Sequence, residues 1–101
     1  MEYKFGDIIL AELQFTDTFE IKARPALVLF EEMGNIVVAG ITSNLNMKGI
    51  FITKKEGLPK DSIIKLNYIF TISEKMIKRF IVRVSDTKRK LIKTELINKI
   101  N

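Results

Sequence analysis

Apolar residues along the chain cluster in short runs, separated by polar stretches that contain Gly, Pro, Asn and Asp. Short runs rich in Ile, Val, Leu and Phe are typical of β-strands that are buried on one or both faces. The pattern predicts one extended segment after another, at residues 5–13, 26–30, 36–41, 50–53, 62–66 (remaining extended to 72) and 80–84. Most of the chain is therefore expected to form a sheet.

The second and third predicted strands form a hairpin. Gly34 and Asn35 can adopt positive φ between them, as a tight turn requires. Pro25 pushes Arg24 into an extended conformation and marks the start of the second strand. Polar residues dominate 14–23, which is predicted to be a loop.

The C-terminal segment has a different period. Ser85 is a typical N-cap, and apolar residues recur every fourth position at Ile92, Leu96 and Ile100. This predicts a helix over Asp86–Ile100, and Ser73 predicts a shorter helical turn ending at residue 77. A mainly β fold, with a small barrel and a C-terminal helix, accounts for these elements, because closing a sheet removes exposed edges.

Composition limits the class of protein. The 101 residues are enough for one domain spanning 1–101, and 47% apolar with 29% charged residues is typical of a soluble globular chain. No apolar run reaches the ~20 residues of a membrane span, and the N-terminus does not lead into a signal peptide. We therefore expect a cytoplasmic protein with no membrane partner.

The absence of Cys and His removes several chemistries. Disulfides, thiolate metal sites, cysteine nucleophiles, His-ligated zinc and a Ser-His-Asp triad are all excluded. We expect no metal site and no cofactor.

Charge is unevenly distributed along the chain. The net charge is +5, but residues 1–47 carry −4 and residues 48–101 carry +9. A basic half favours a polyanionic partner, either nucleic acid or an acidic protein. The alternative is compositional, since 13 of the 17 basic residues are Lys and the chain is rich in Ile and Asn, as in AT-rich genomes.

Two polar groups are expected to converge at one end of the hairpin. A turn near residues 33–34 would bring Arg24 opposite a residue between 42 and 44, so a guanidinium and the Thr42 hydroxyl would share a rigid edge. Arginine can bind two phosphate oxygens at once, and Ser43 and Asn44 would add further polar groups. Alternatively, Arg24 forms a surface ion pair, and the residues from Thr42 to Asn44 only make a turn.

A second pair of candidates lies on a later strand. Lys65 and Asn67 share one face by the two-residue period of a strand and could contact a polyanion together. The alternative is an ordinary solvated face.

The order of several short motifs resembles the MazF/PemK family of toxin endoribonucleases. The resemblance covers nearly the whole chain, up to Val84-Ser85-Asp86, and depends on the order and spacing of the motifs more than on any single one. The matching pieces are Gly6-Asp7-Ile8-Ile9-Leu10, Arg24-Pro25-Ala26-Leu27-Val28-Leu29, Val37-Val38-Ala39-Gly40-Ile41-Thr42-Ser43, Gly57-Leu58-Pro59-Lys60-Asp61-Ser62 and Thr71-Ile72-Ser73.

The resemblance implies an SH3-like barrel, shared with the gyrase inhibitor CcdB, that forms a homodimer. It implies a type II toxin that cleaves single-stranded RNA without a metal, by attack of the ribose 2′-OH, and that an acidic antitoxin neutralises. The catalytic residues would be Arg24, which would stabilise the phosphorane and could protonate the leaving oxygen, and Thr42. RNA-binding candidates are Ser43, Asn44, Lys65, Asn67 and Lys22.

The chain also departs from the family pattern. Residues 17–23 replace a Gly, Gln and Gly pattern, Lys65 and Asn67 occupy the positions of an Arg and an acidic residue, and Phe70 replaces an Arg. Two other functions therefore stay open. One is a non-catalytic barrel that binds gyrase or titrates an antitoxin, and the other is an RNA-binding barrel without chemistry. The chain has no Trp and only two Tyr, which disfavours binding by base stacking.

Overall fold

The sheet predicted from the sequence is present in the computed structural model, which describes residues 2–14 and 21–101. Six strands and one α-helix lie within these ranges. In chain order they are β1 (Asp7–Leu13), β2 (Lys22–Glu32), β3 (Asn35–Thr42), β4 (Ile50–Ile52), β5 (Ser62–Ser73), β6 (Ile77–Arg83) and α1 (Asp86–Ile100), with short 3-10 turns at Lys54–Glu56 and Glu74–Met76. The mainly β fold with a C-terminal helix is confirmed.

The strands form one curled antiparallel sheet in the order β4-β5-β3-β2-β1-β6. Two hydrophobic clusters lie on its two faces, one around Ile8 and Leu27 and the other around Ile9 and Val28. Helix α1 covers the first cluster with Ile92, which is fully buried. Apolar residues on both faces of the central strands explain their nearly continuous hydrophobic runs.

The β2–β3 hairpin turns at residues 33–34, as its pairing arithmetic predicted. Met33 and Gly34 have φ values of 51° and 82°, whereas Asn35 pairs with Glu32 in the ladder. Two positive φ angles in a two-residue connection match the twist of the flanking strands. The expectation that Gly34 and Asn35 adopt positive φ is correct for Gly34, but Met33 takes the place of Asn35.

Strand β2 also begins earlier than expected. The predicted loop over 14–23 ends before Lys22, which already pairs with Leu13; residues 15–20 lie outside the described residues. Pro25 sits inside the strand opposite Leu10 rather than at its start. Because the ladder to β3 begins only at Ala26, Pro25 does not need to donate a hydrogen bond on that side.

Strand β5 is continuous over the two segments predicted for it, but its pairing shifts in the middle. Ala39 of β3 pairs with Ile69, and the next residue, Gly40, pairs with Lys65. Residues 66–68 therefore form a bulge opposite β3, which bends the strand and changes the direction of the side chains on either side.

Helix α1 begins as the sequence predicts. The Ser85 hydroxyl accepts a hydrogen bond from the backbone N–H of Lys88 at 3.1 Å, which is N-capping geometry. Ile92 is buried and Leu96 packs partly against the core, but Ile100 is 79% exposed. The expectation that the apolar stripe stays buried through Ile100 is wrong, because the core covers the stripe only as far as Leu96.

The helix also covers one end of the sheet. The ammonium of Lys88 donates to the carbonyl oxygen of Phe51 in the end strand β4 at 2.8 Å, and its Nζ lies 3.1 Å from Glu56 Oε1. This contact gives an edge carbonyl a partner and joins α1 to the β4–β5 connection. In the described ranges, no helix has the length and apolar character needed to span a membrane.

Candidate active site

Arg24 and Thr42 lie at the same end of the β2–β3 hairpin. The ladder pairs Ala26 with Gly40, and continuing this register by two residues brings Arg24 opposite Thr42. Both residues are half-buried, and both line one cavity of about 450 Å³. The guanidinium and the hydroxyl thus share the site that the hairpin arithmetic indicated.

The cavity is formed by three parts of the chain: the start of β2, the end of β3 and the loop before β5. Its cationic residues are Lys22, Arg24 and Lys60, and the described residues that line it include no Asp or Glu. Three cationic side chains that line one cavity favour an anionic ligand. The full lining is Leu10, Lys22, Ala23, Arg24, Pro25, Ile41, Thr42, Ser43, Pro59, Lys60 and Ser62.

A tight turn follows Thr42 and holds its hydroxyl. The backbone N–H of Asn44 donates to Thr42 Oγ1 at 3.1 Å, and the backbone N–H of Asn46 donates to Asn44 Oδ1 at 3.1 Å. Ser43 lines the cavity, but Asn44 does not. The Asn44 side chain therefore stabilises the turn behind the cavity, which is the structural alternative considered for it from the sequence.

Lys65 and Asn67 line a different groove. It has a volume of about 830 Å³ and lies between α1 and strands β4 and β5. Lys65 is only 8% exposed, and its ammonium donates to the carbonyl oxygen of Lys48 at 2.6 Å and lies 5.3 Å from the centre of the Tyr68 ring. The structure does not bring these two residues into the cavity of Arg24; both line this groove, as do Ile64 and the intervening Leu66.

No function was assigned from the sequence to Pro59 and Lys60, which line the cavity beside β5. Both belong to the β4–β5 connection. Their place beside the cavity follows from the pairing of β3 with β5, in which Thr42 lies opposite Ile63 at the start of β5. The residues just before β5 must therefore lie beside Thr42.

This connection is anchored by an ionised carboxylate. Glu56 Oε2 accepts from the backbone N–H of Thr53 at 2.8 Å, and Glu56 Oε1 pairs with the Lys88 ammonium. Burial by itself raises the pKa of Glu56, but the Thr53 hydrogen bond and the Lys88 charge outweigh it and hold the pKa below its usual value. Glu56 is therefore charged at neutral pH and joins the loop to α1.

Across residues 2–14 and 21–101, no three or more Asp or Glu side chains cluster in a way that could hold a metal ion. Histidine and cysteine, the other common ligands, are absent from the sequence. The chemistry open to the cavity is that of a guanidinium, ammonium groups and hydroxyls.

Several solved structures have a similar fold. The Mycobacterium tuberculosis toxin MazF-mt6 superposes with a TM-score of 0.72 at 25% identity, over 92% of this chain and 93% of that one. A mycobacterial endoribonuclease in complex with its cognate antitoxin gives 0.72 at 13% identity, over 97% and 94%. The Deinococcus radiodurans MazE–MazF structure gives 0.74 at 13% identity, over 99% and 96%.

The sequence itself identifies the family. Residues 4–100 match the family described as PemK-like, MazF-like toxin of type II toxin–antitoxin system. The match includes every strand, the helix and all residues of the cavity. The chain therefore belongs to the PemK-like and MazF-like toxins of type II toxin–antitoxin systems.

Proposed function

We propose that this toxin is an endoribonuclease that cleaves single-stranded RNA, mRNA in particular, at short sequence motifs. The observation that supports this most strongly is the joint position of Arg24 and Thr42 in a cationic cavity without a described carboxylate. A mycobacterial protein of the same fold is named an endoribonuclease, which agrees with the proposal. The scaffold that carries the two groups is rigid, as preorganised catalysis requires.

The proposed reaction uses a nucleophile that belongs to the substrate. The ribose 2′ oxygen attacks the adjacent phosphorus, and the bond from phosphorus to the 5′ oxygen breaks. The products are a 2′,3′-cyclic phosphate and a 5′-hydroxyl. The proton of the 2′-OH passes to solvent, and the departing 5′ oxygen takes one up. This chemistry needs neither a histidine nor a metal.

Arg24 stabilises the charge that develops on the phosphorane. A guanidinium donates several hydrogen bonds in a fixed plane, so it can bind two phosphate oxygens and lie near the departing 5′ oxygen. Thr42 Oγ1 accepts the Asn44 N–H, which leaves its own hydrogen to donate. We therefore assign Thr42 as a donor to a phosphate oxygen.

Other residues bind the rest of the RNA. Lys22 and Ser43 line the same cavity and would contact the phosphates or sugars next to the cleaved bond. Lys65 and Asn67 would contact the strand where it crosses the second groove. Asn44 holds the turn through its Oδ1, and its exposed amide NH2 group would add a donor for the RNA.

The proposed partners follow from charge and from proteins of the same fold. Two of these are described as complexes, one with a cognate antitoxin and one as MazE–MazF. An acidic antitoxin would complement the charge of +9 on residues 48–101. We also propose that the toxin is a homodimer and acts in the cytoplasm.

The test is incubation of the purified protein with a long RNA in EDTA, with mapping of the cleaved ends. Wild type should leave cyclic phosphate and 5′-hydroxyl ends, and Arg24→Ala should not cleave. Arg79→Ala is the matched control, because Arg79 is exposed on β6 and lies outside the cavity. Equal cleavage by Arg24→Ala and wild type would reject the role of Arg24. Growth arrest with intact RNA and inhibited supercoiling would point to gyrase instead.

A further inference from the structure

The third cation of the cavity belongs to a segment with no assigned role. Lys60 lies in the β4–β5 connection and lines the cavity from the side of β5, with β3 between β5 and the strand β2 that carries Lys22 and Arg24. We propose that Lys60 binds a phosphate of the RNA next to the one that is cleaved, so that the RNA is held by both β2 and the β4–β5 connection. This inference rests on the proposed ribonuclease function.

The backbone around Lys60 is held in place on both sides. Leu58 is 4% exposed and packs in the core, and the Ser62 hydroxyl donates to the Lys60 carbonyl oxygen at 2.9 Å. The neighbouring Asp61 carboxylate accepts from the backbone N–H of Lys54 at 2.8 Å. A lysine on such a loop loses little backbone entropy when it binds, and its side chain remains exposed to reach a ligand.

The anchoring contacts do not use the Lys60 side chain. Ser62 bonds to the backbone of Lys60, and Asp61 bonds to the backbone of Lys54. Replacing the Lys60 side chain therefore leaves the loop contacts intact. A change in RNA binding would then be due to the loss of the ammonium group and not to a movement of the loop.

Charge explains why the ligand would be a phosphate. Three cationic side chains line the cavity, so an anion is the class of ligand that its charge favours. A single strand of RNA offers one phosphate per nucleotide, and each phosphate contact releases counterions from the strand. A single ammonium is a point charge, which suits a phosphate that is bound without being cleaved.

The test measures the salt dependence of binding to a randomised 12-nucleotide single-stranded RNA pool with 2′-O-methyl groups, which cannot be cleaved. Each phosphate contact contributes about 0.7 to the slope of log Kd against log salt for single strands. Lys60→Ala should lower the slope by roughly that amount, and Lys60→Arg should restore it. Lys55→Ala, which removes an equal charge from the 3-10 turn outside the cavity, should leave the slope unchanged.

Cleavage kinetics provide the second measurement. Because Lys60 is assigned to binding, Lys60→Ala should raise KM about five- to tenfold on a cleavable RNA with little change in kcat. An unchanged slope for Lys60→Ala, while wild type cleaves RNA and Arg24→Ala does not, would overturn the role of Lys60 alone. A wild type that neither binds nor cleaves RNA would overturn the proposed function and this inference with it. A lower thermal midpoint with an unchanged slope would also overturn the inference, since it would show a structural role only.

Discussion

The backbone N–H of Asn44 donates to Thr42 Oγ1 at 3.1 Å, and this bond fixes the position of the Thr42 oxygen beside the cavity. The bond uses one lone pair of the hydroxyl and leaves its hydrogen to donate. A phosphate oxygen can only accept, so the hydroxyl would meet it as a donor. A serine could form the same bond, but a valine could not.

Replacement of Thr42 tests that role. Thr42→Val keeps the shape of the side chain and removes the donor, so kcat should fall roughly 100-fold, as for the loss of one oxyanion donor. Thr42→Ser should stay within about threefold of wild type, because its hydroxyl keeps both bonds. Single-turnover cleavage of a defined RNA measures both variants. Equal rates for the valine and serine variants would remove the hydroxyl from the mechanism.

The pH dependence of cleavage tests how the 2′-OH loses its proton. In the described lining of the cavity there is no carboxylate, and the chain has no histidine, so we expect hydroxide or water to take the proton. We expect kcat/KM to rise about tenfold per pH unit between pH 5 and 8. A plateau beginning near pH 5 would contradict this and indicate a carboxylate base.

The bond between Glu56 and Lys88 should make stability depend on pH. The pKa of Glu56 is lowered in the folded state, so its contribution to the free energy of unfolding is present above the ordinary value of 4.5 and is lost as pH falls below it. Glu56→Gln should destabilise the protein by about 1–2 kcal/mol at pH 7 and by much less at pH 3.

Urea denaturation of wild type and Glu56→Gln at both pH values provides the measurement. Glu95→Gln is a suitable control, because the Glu95 side chain lies on exposed helix surface. If wild type and Glu56→Gln differ in free energy of unfolding by the same amount at pH 3 and pH 7, the ionised form of Glu56 does not stabilise the fold more than the neutral form.

Alanine replacements at Gly34 and Gly57, which both have positive φ, separate the cost of backbone strain from the cost of steric crowding. Gly34 has a φ of 82° and nothing within 4 Å of the position of a Cβ, whereas Gly57 has a φ of 113° and a Cβ there would lie 3.0 Å from Val82. Gly34→Ala should cost about 1 kcal/mol from the left-handed backbone alone. Gly57→Ala should cost more, since it also pushes β6 and the loop apart.

Thermal unfolding of the two alanine variants is the measurement, and RNA cleavage adds a second one. Gly57→Ala should also raise KM, because its loop carries Lys60 into the cavity. Gly34 lies at the far end of the hairpin, so its replacement should leave cleavage unchanged. An equal loss of stability in both variants would mean that the Val82 contact adapts without strain.

The sequence was sufficient for the elements but not for all of their bounds. Buried strands and the N-cap at Ser85 have strong local signals, so the sheet and helix α1 were predicted correctly. Pro25 was misleading, because its missing N–H matters only where a neighbouring strand needs it. The exposure of Ile100 could not be predicted either, because it depends on the tertiary contacts of the last turn of α1 rather than on its period.

Part of the candidate site could be predicted from the sequence, and part could not. Arg24 could be placed opposite a residue between 42 and 44 from the sequence, because the turn sets the register of a hairpin to within a residue; the irregularity between Val28 and Phe30 then shifts the pairing by one. The positions of Lys65 in the second groove and of Lys60 in the cavity could not be predicted, because both depend on the pairing of strands that are distant in sequence. The bulge opposite Gly40 redirects β5, and the pairing of Thr42 with Ile63 sets where the preceding loop lies.

The hydrogen bond from Lys88 to the carbonyl oxygen of Phe51 affects how the toxin associates with other copies of itself. Strand β4 is short and ends the sheet, so an uncovered row of its polar backbone groups would be a template for strands of other molecules. Because the Lys88 ammonium donates to that row, we expect the edge of β4 to resist pairing with strands of other molecules.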